Sequence, residues 1–143
     1  MGDSVEISVI VPVYGCASCV EELYERLGAV LSGLSLSYEI IMINDASPDQ
    51  SWETIEKLAI QDPKLKAVNF SKNYGQHFAI SAGFDIAKGQ WVVSMDCDLQ
   101  DLPEEIPKLY MKAKEGFNIV YGYSRFRGRP GYWYTKVREF YYT

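Results

Sequence analysis

At 143 residues the chain has room for one domain, and 48% apolar with 23% charged residues excludes disordered and collagen-like classes in favour of a globular chain with a real core. The net charge of −5 hides a division: 9 Lys and Arg stand against 18 Asp and Glu up to Tyr123, but 5 against 1 from Ser124 onward. An acidic body argues against nucleic acid, since polyanion binding needs a basic footprint, and it directs any anionic partner to the tail.

Along the chain, β-branched apolar runs alternate with segments of helical period. Ile7–Val13 reads as a buried strand, and Val20, Leu23, Leu27 and Val30 then recur at helical spacing. Glu39–Ile43 is a second strand. Ser47-Pro48-Asp49-Gln50 follows with an N-cap serine, a proline at the first helical position and a glutamine three residues on, so a helix with Trp52, Ile55 and Leu58 on its apolar face is expected. Lys66–Phe70 is a short third strand, and a helix near Gln76–Ala87 is expected to bury Phe78, Ala82 and Ile86. Trp91–Met95 is a fourth strand, Leu102, Ile106, Leu109 and Ala113 stripe the next helix, and Asn118–Tyr123 is a fifth strand. This alternation implies an α/β fold with a mostly parallel sheet covered on both faces.

No apolar run approaches the roughly 20 residues that span a bilayer, and the N-terminus lacks a secretory pattern, so a cytoplasmic chain is expected. Three cysteines, an odd number, suggest reduced thiols, with Cys97 as a small buried filler. Cys16-Ala17-Ser18-Cys19 sits where a strand gives way to a helix, the context of a thiol–disulfide oxidoreductase pair, and Cys16/Cys19 is therefore an alternative centre. A dinucleotide-binding dehydrogenase is disfavoured, because neither G-x-G-x-x-G nor a P-loop occurs.

The most informative stretch is Ser94–Glu105, SMDCDLQDLPEE, which places five carboxylates directly after an apolar strand. Asp101, Pro103 and Glu104 match a helix N-terminus, so Asp101, Glu104 and Glu105 are expected to cap the helix and complement its dipole. Asp96 and Asp98 are different. Two carboxylates two residues apart repel unless a cation or water separates them, and a hard ion such as Mg²⁺ or Mn²⁺ takes such oxygens together with substrate phosphates. Gln100 offers an amide oxygen at the next alternate position. In an open α/β sheet, ligands bind beyond the carboxyl ends of the strands, where Asp96, Asp98 and Asp45 all fall.

Asp96-Cys97-Asp98-Leu99-Gln100-Asp101-Leu102-Pro103-Glu104 resembles the D-x-D-L-Q-x-P-P-E segment of family 2 glycosyltransferases. Ile7–Tyr14 is similar to that family's opening strand, and Ile43–Asp49 to its V-D-D-G-S-x-D. Asn73-Tyr74-Gly75-Gln76-His77 through Ala82-Gly83-Phe84 resembles the branch that transfers sugars to polyprenyl phosphates, particularly the aminoarabinose-type undecaprenyl-phosphate transferases. The resemblance covers nearly the whole chain. It implies a GT-A, Rossmann-like three-layer nucleotide-sugar-binding fold and an inverting transfer from a nucleotide-diphosphate sugar, as in cell-envelope glycan synthesis. It further implies that Pro12, Tyr14 and Asp45 hold the nucleoside, that Asp96, Asp98 and Gln100 hold Mg²⁺ or Mn²⁺ and through it the diphosphate, and that Arg125 meets a phosphate. No residue is assigned as a catalytic base. Asn44 departs from the first acid of the family's Asp pair, and Gly15-Cys16 stands where Asn-Glu is usual, which puts the role of those positions in doubt. His77, the sole histidine, is open to capping, packing or catalysis.

Residues 1–123 are thus expected to form the donor-binding domain, with 124–143 a basic, aromatic, amphipathic segment. On a helical wheel Trp133, Tyr134, Val137, Phe140 and Tyr141 share one side, so a helix lying in a membrane interface, or packed on the body, is expected. The sequence stops at Tyr141-Tyr142-Thr143 without a cap, which reads as a break within a larger catalytic domain. A nucleotide-sugar-binding fragment without activity is accordingly a further alternative.

Overall fold

The structure is a computed structural model that describes residues 4–122 and the backbone of Tyr134–Val137. Its strands are β1 (Ile7–Val13), β2 (Tyr38–Asn44), β3 (Leu65–Asn69), β4 (Trp91–Ser94), β5 (Ile119–Val120) and β6 (Tyr134–Val137). Its helices are α1 (Ala17–Gly33), α2 (Ser51–Gln61), α3 (Gln76–Ile86) and α4 (Ile106–Lys114), the last preceded by a 3₁₀ turn at Pro103–Glu105. The strands form one sheet in the order β3-β2-β1-β4-β6-β5. β1 pairs in parallel with β2 and β4, and β2 with β3, whereas β6 runs antiparallel to both β4 and β5. The reading of 133–141 as one helix is therefore corrected: Tyr134–Val137 is a strand inserted between β4 and β5, and the other residues of that stretch lie outside the described residues. The edges of β4 and β5 supply a backbone ladder there, and satisfying it overrides the local helical period.

All seven residues of β1 are buried, as a central strand covered on both faces requires. Val9, Val11, Ile40 and Met42 meet Val20, Leu23, Leu27 and Leu31 of α1, Ile55 of α2, and Ile106 and Leu109 of α4. On the opposite face Ile10, Ile41, Ile43 and Val92 pack with Ala79 and Ala87 from the α3 region. Each fully buried Ile or Met contributes on the order of 1.5–3 kcal/mol.

The face of α3 is one position away from that expected. Ala79 and Gly83 are buried, whereas Phe78 is 65% and Ile86 38% exposed. Small side chains let the helix lie close to the sheet: a Cβ on Gly83 would come within 2.5 Å of Ile10 Cγ2. Close approach rather than bulk decides which face turns inward. The expected helix starts are also corrected. α2 begins at Ser51, not after a Ser47 cap, and Asp49 accepts the Ser51 N–H at 3.0 Å and, from α1, the Ala17 N–H at 3.0 Å. No described helix is long and apolar enough to cross a membrane.

At the amino end of the strands, opposite the end that leads into the acidic loop, the Ser8 hydroxyl donates to Glu39 Oε1 at 2.6 Å and accepts the Gly89 N–H at 2.8 Å. Glu39, 4% exposed, also accepts the Lys88 N–H and pairs with Lys66 across the β2–β3 ladder. Burial pushes its carboxyl up, but the bonds from Lys66, Ser8 and the Lys88 amide outweigh burial, and the net shift is downward. A depressed folded-state value gives stability that is present above the unfolded value, near 4.3, and lost as pH falls through the folded one. Glu39→Gln is thus expected to be less stable than wild type by about 1–3 kcal/mol at pH 7. Urea titrations should show that gap narrowing as the pH falls below 4; a gap that does not change with pH would show that the ionised carboxylate contributes nothing.

Candidate functional site

β1, β2 and β4 lie side by side, so their carboxyl ends deliver Tyr14, Asp45 and Asp96 to one edge of the sheet. Pro12 is buried inside β1. Because Met95 N–H donates to Ile10 and Asp45 N–H to Val13, the Pro12 nitrogen faces the β4 side, where β4 has already left the ladder, and no sheet bond is lost. Tyr14 is 54% exposed. Gly15 follows with φ +65, a backbone region that glycine adopts without steric cost, and its N–H donates to Ser47 Oγ at 3.1 Å.

Asp45 is 3% exposed, yet its carboxylate has defined partners: Oδ1 accepts the Tyr74 N–H at 2.7 Å and Oδ2 the Gly75 N–H at 2.9 Å. Asn44, where the family pattern has an acid, is structural. Its amide donates to Asn69 Oδ1 at 2.8 Å, joining β2 to β3, and its Oδ1 accepts the Ser47 N–H at 3.3 Å. Ala46 next to it holds φ +54, and Leu99 in the acidic loop holds φ +62. Such left-handed non-glycine positions cost of order 1–3 kcal/mol and cluster where a loop geometry is imposed by function.

Asp96 Oδ1 accepts from Gln76 Nε2 at 2.6 Å, Asp98 Oδ1 from the Gln100 N–H at 3.0 Å, and Asp101 Oδ2 from the Asp96 N–H at 2.9 Å. Asp101 therefore braces the loop instead of capping a helix, and the 3₁₀ turn opens after Leu102. Glu104 and Glu105 do lie in the first turn, as expected, and Glu104 in addition takes two bonds from Arg26 of α1, at 2.8 and 2.6 Å. Protein crowding around the Asp96 carboxylate raises it above the ordinary range although the residue is open to solvent, and the nearby Asp98 charge raises it further; the Gln76 bond opposes both. Burial also raises Asp101, helped by the charges of Asp96 and Asp98.

Among the described residues no Lys or Arg pairs with these three carboxylates. Unrelieved repulsion of this kind fits a cation. Among the described residues, however, no three His, Cys, Asp or Glu side chains converge as a protein-only cage. The donor set thus suits an ion that keeps positions for phosphate oxygens and water, as Mg²⁺ and Mn²⁺ do. Gln100 is exposed, and its backbone closes the turn on Asp98. His77 is exposed as well. Arg125 lies outside the described residues. The reading of Gln76 only as a helix start missed its bond to Asp96; the Asn73–His77 motif carried the signal, but not the partner.

The match to the family model described as "Glycosyl transferase family 2" runs over residues 8–143. The chain belongs to glycosyltransferase family 2. An undecaprenyl-phosphate 4-deoxy-4-formamido-L-arabinose transferase from Aeromonas hydrophila is 44% identical over 132 residues, 92% of this chain and 40% of that protein. This family 2 chain therefore spans about two fifths of the length of that relative. Staphylococcus aureus TarS 1–349 in complex with UDP superposes with a TM-score of 0.67 at 23% identity, covering 88% of this chain and 38% of that one. A mannosyltransferase from Pyrobaculum calidifontis in complex with GDP-Man and Mn²⁺ gives 0.59 at 25% identity, over 65% and 27%. The GT-A, Rossmann-like fold expected of a family 2 glycosyltransferase is the fold observed.

The cysteine reading is corrected. Cys16, in the loop after β1, is joined by a disulfide to Cys97, between Asp96 and Asp98, with Cα atoms 6.3 Å apart, and Cys19 is the free thiol. Cys97 is buried as expected, but as a crosslink. The partners are 81 residues apart in sequence and meet because β1 and β4 are neighbours. The Cys16/Cys19 pair of the oxidoreductase alternative does not form. Thiol titration of denatured, unreduced protein is expected to count one thiol, rising to three after reduction; three before reduction would dissolve the crosslink. Closing a loop of this length contributes about 4 kcal/mol in the chain-entropy account, so Cys97→Ser should lower stability by about 2–4 kcal/mol.

Proposed function

We propose that this chain is the donor-binding part of a glycosyltransferase that moves a sugar from a nucleoside-diphosphate sugar to a polyprenyl phosphate with inversion. The carrying observation is the Asp96–Asp98 pair, without a cationic side-chain partner among the described residues, at the end of β4, on the same edge of the sheet as Asp45, which ends β2 on the other side of β1. In this reading Asp96 and Asp98, with Gln100, hold a divalent ion, and Pro12, Tyr14 and Asp45 line the nucleoside side. A bound Mg²⁺ or Mn²⁺ would neutralise the charge that gathers on the departing diphosphate. The residues supply the rest: the carboxylates fix the diphosphate end, and Tyr14 leaves an exposed ring beside it for stacking or hydroxyl contact.

The acceptor class is supported by the activity for which the Aeromonas relative is named. Such an acceptor needs no proton removed, because a phosphate monoester, with a second pKa near 6, is largely dianionic at pH 7. A polyprenyl phosphate resides in a bilayer, so the transfer would occur at a membrane surface, with Arg125 available to a phosphate.

Calorimetry with UDP-, GDP- and dTDP-sugars, with and without Mn²⁺, tests the proposal. One of them should bind, with affinity lost in EDTA. Asp98→Asn should weaken metal-dependent binding by about 30-fold, near 2 kcal/mol. Asp101→Asn, which touches only the loop backbone, should weaken it far less. Binding that is indifferent to EDTA, or equal loss in the two variants, would refute the division of roles. Turnover by a longer chain with polyprenyl phosphate separates the enzyme from the binding fragment.

A further inference from the structure

Asp45 and the acidic loop are joined by a short series of contacts. The buried Asp45 carboxylate holds the N–H groups of Tyr74 and Gly75. Gly75, at φ +97, is the residue from which α3 starts, and Gln76 is the first residue of that helix. The Gln76 side chain then reaches Asp96 Oδ1 at 2.6 Å. Asp45 thereby sets where Gln76 stands, and Gln76 sets where Asp96 points.

We propose that Gln76 is a positioning residue for the cation-binding carboxylate, holding Asp96 by one oxygen so that the other is turned to the ion. The inference rests on the metal-assisted donor reading above. Its chemical basis is the choice of donor. A neutral amide N–H orients a carboxylate and leaves its full negative charge for a cation, whereas a Lys or Arg at this position would neutralise that charge and repel the ion. The other loop carboxylates show the same economy: Asp98 is bonded through Oδ1 and Asp101 through Oδ2, in each case to a backbone N–H. Among the described residues, Gln76 is the side chain that reaches these three carboxylates from a different element, α3. Partners that orient metal ligands typically change metal affinity 10- to 100-fold when removed.

The test is Mn²⁺ binding, read from loss of the free-ion electron paramagnetic resonance signal, alone and with whichever of UDP or GDP the wild type binds. Gln76→Leu, nearly the same size and without a donor, is expected to bind Mn²⁺ about 10-fold more weakly. Gln76→Lys should bind it more weakly still, and both should keep the wild-type melting temperature, since Gln76 is exposed. Gln76→Leu with wild-type Mn²⁺ affinity would overturn the positioning role and leave the donor reading standing. A wild type that binds no Mn²⁺ would overturn both. In ¹⁵N-labelled wild type, which involves no substitution, the Gln76 side-chain amide resonance should shift on addition of Mg²⁺, and that shift should vanish in Asp96→Asn. An amide indifferent to Mg²⁺ in a protein that binds the ion would likewise overturn the role.

Discussion

Three carboxylates, Asp96, Asp98 and Asp101, have to stay close together although the charge of Asp98 disfavours ionisation of Asp96, and the charges of Asp96 and Asp98 disfavour ionisation of Asp101. A loop free to move would relax that repulsion by spreading. This one is fastened from several directions: Cys97 to Cys16, Glu104 to Arg26, the Asp96 carboxylate to Gln76, and the Asp96 N–H to Asp101. The first two attachments both lead to the start and body of α1, which is itself seated on the sheet by Val20, Leu23 and Leu27. Apolar burial in the core is thus converted into a fixed cluster of negative charge at the edge.

The exposed Arg26–Glu104 pair by itself contributes no more than about 1 kcal/mol. Its value is geometric, since a bidentate guanidinium–carboxylate contact sets orientation as well as distance. The disulfide acts differently, by restricting the unfolded chain and by holding the residue between the two candidate ligands. The positive φ at Leu99, one residue beyond Asp98, fits the same picture: a loop conformation of local cost, maintained by its surroundings.

The opposite end of the sheet has the contrary electrostatics. Glu39 is buried and fully engaged by Ser8, Lys66 and the Lys88 amide, so its charge is offset within the protein. Asp96, Asp98 and Asp101 keep their charges unpaired by any described cationic side chain. The contrast separates a carboxylate that stabilises the fold from carboxylates whose ligand role is the proposal made above, and it tracks strand direction, because in a parallel sheet the carboxyl ends collect on one edge.

Much of this was legible in the residue order. Ile7–Val13 announces a central strand because a strand buried on both faces must be apolar throughout, and the Asp45, Asp96 and Asp98 motifs announce the family and the edge at which they gather. Helix faces and starts were less legible. The inward turn of Ala79 and Gly83, in place of Phe78 and Ile86, depends on how closely α3 approaches Ile10, a distance no periodicity contains. Asp49 bonds the Ser51 N–H at the start of α2 but also reaches the Ala17 N–H of α1, which only the folded chain brings near, and Asp101 turns back to the Asp96 N–H of its own loop. Tyr134–Val137 obeys a helical wheel and is nevertheless a strand, since the unpaired edges of β4 and β5 reward a ladder more than an isolated period rewards a helix. The Cys16–Cys97 bond and the Gln76–Asp96 bond join residues 81 and 20 positions apart. Sequence by itself determined which chemistry the chain carries, because that resides in residue types at short spacing. Tertiary structure decided which of those residues face one another, because parallel pairing places far-separated strand ends side by side.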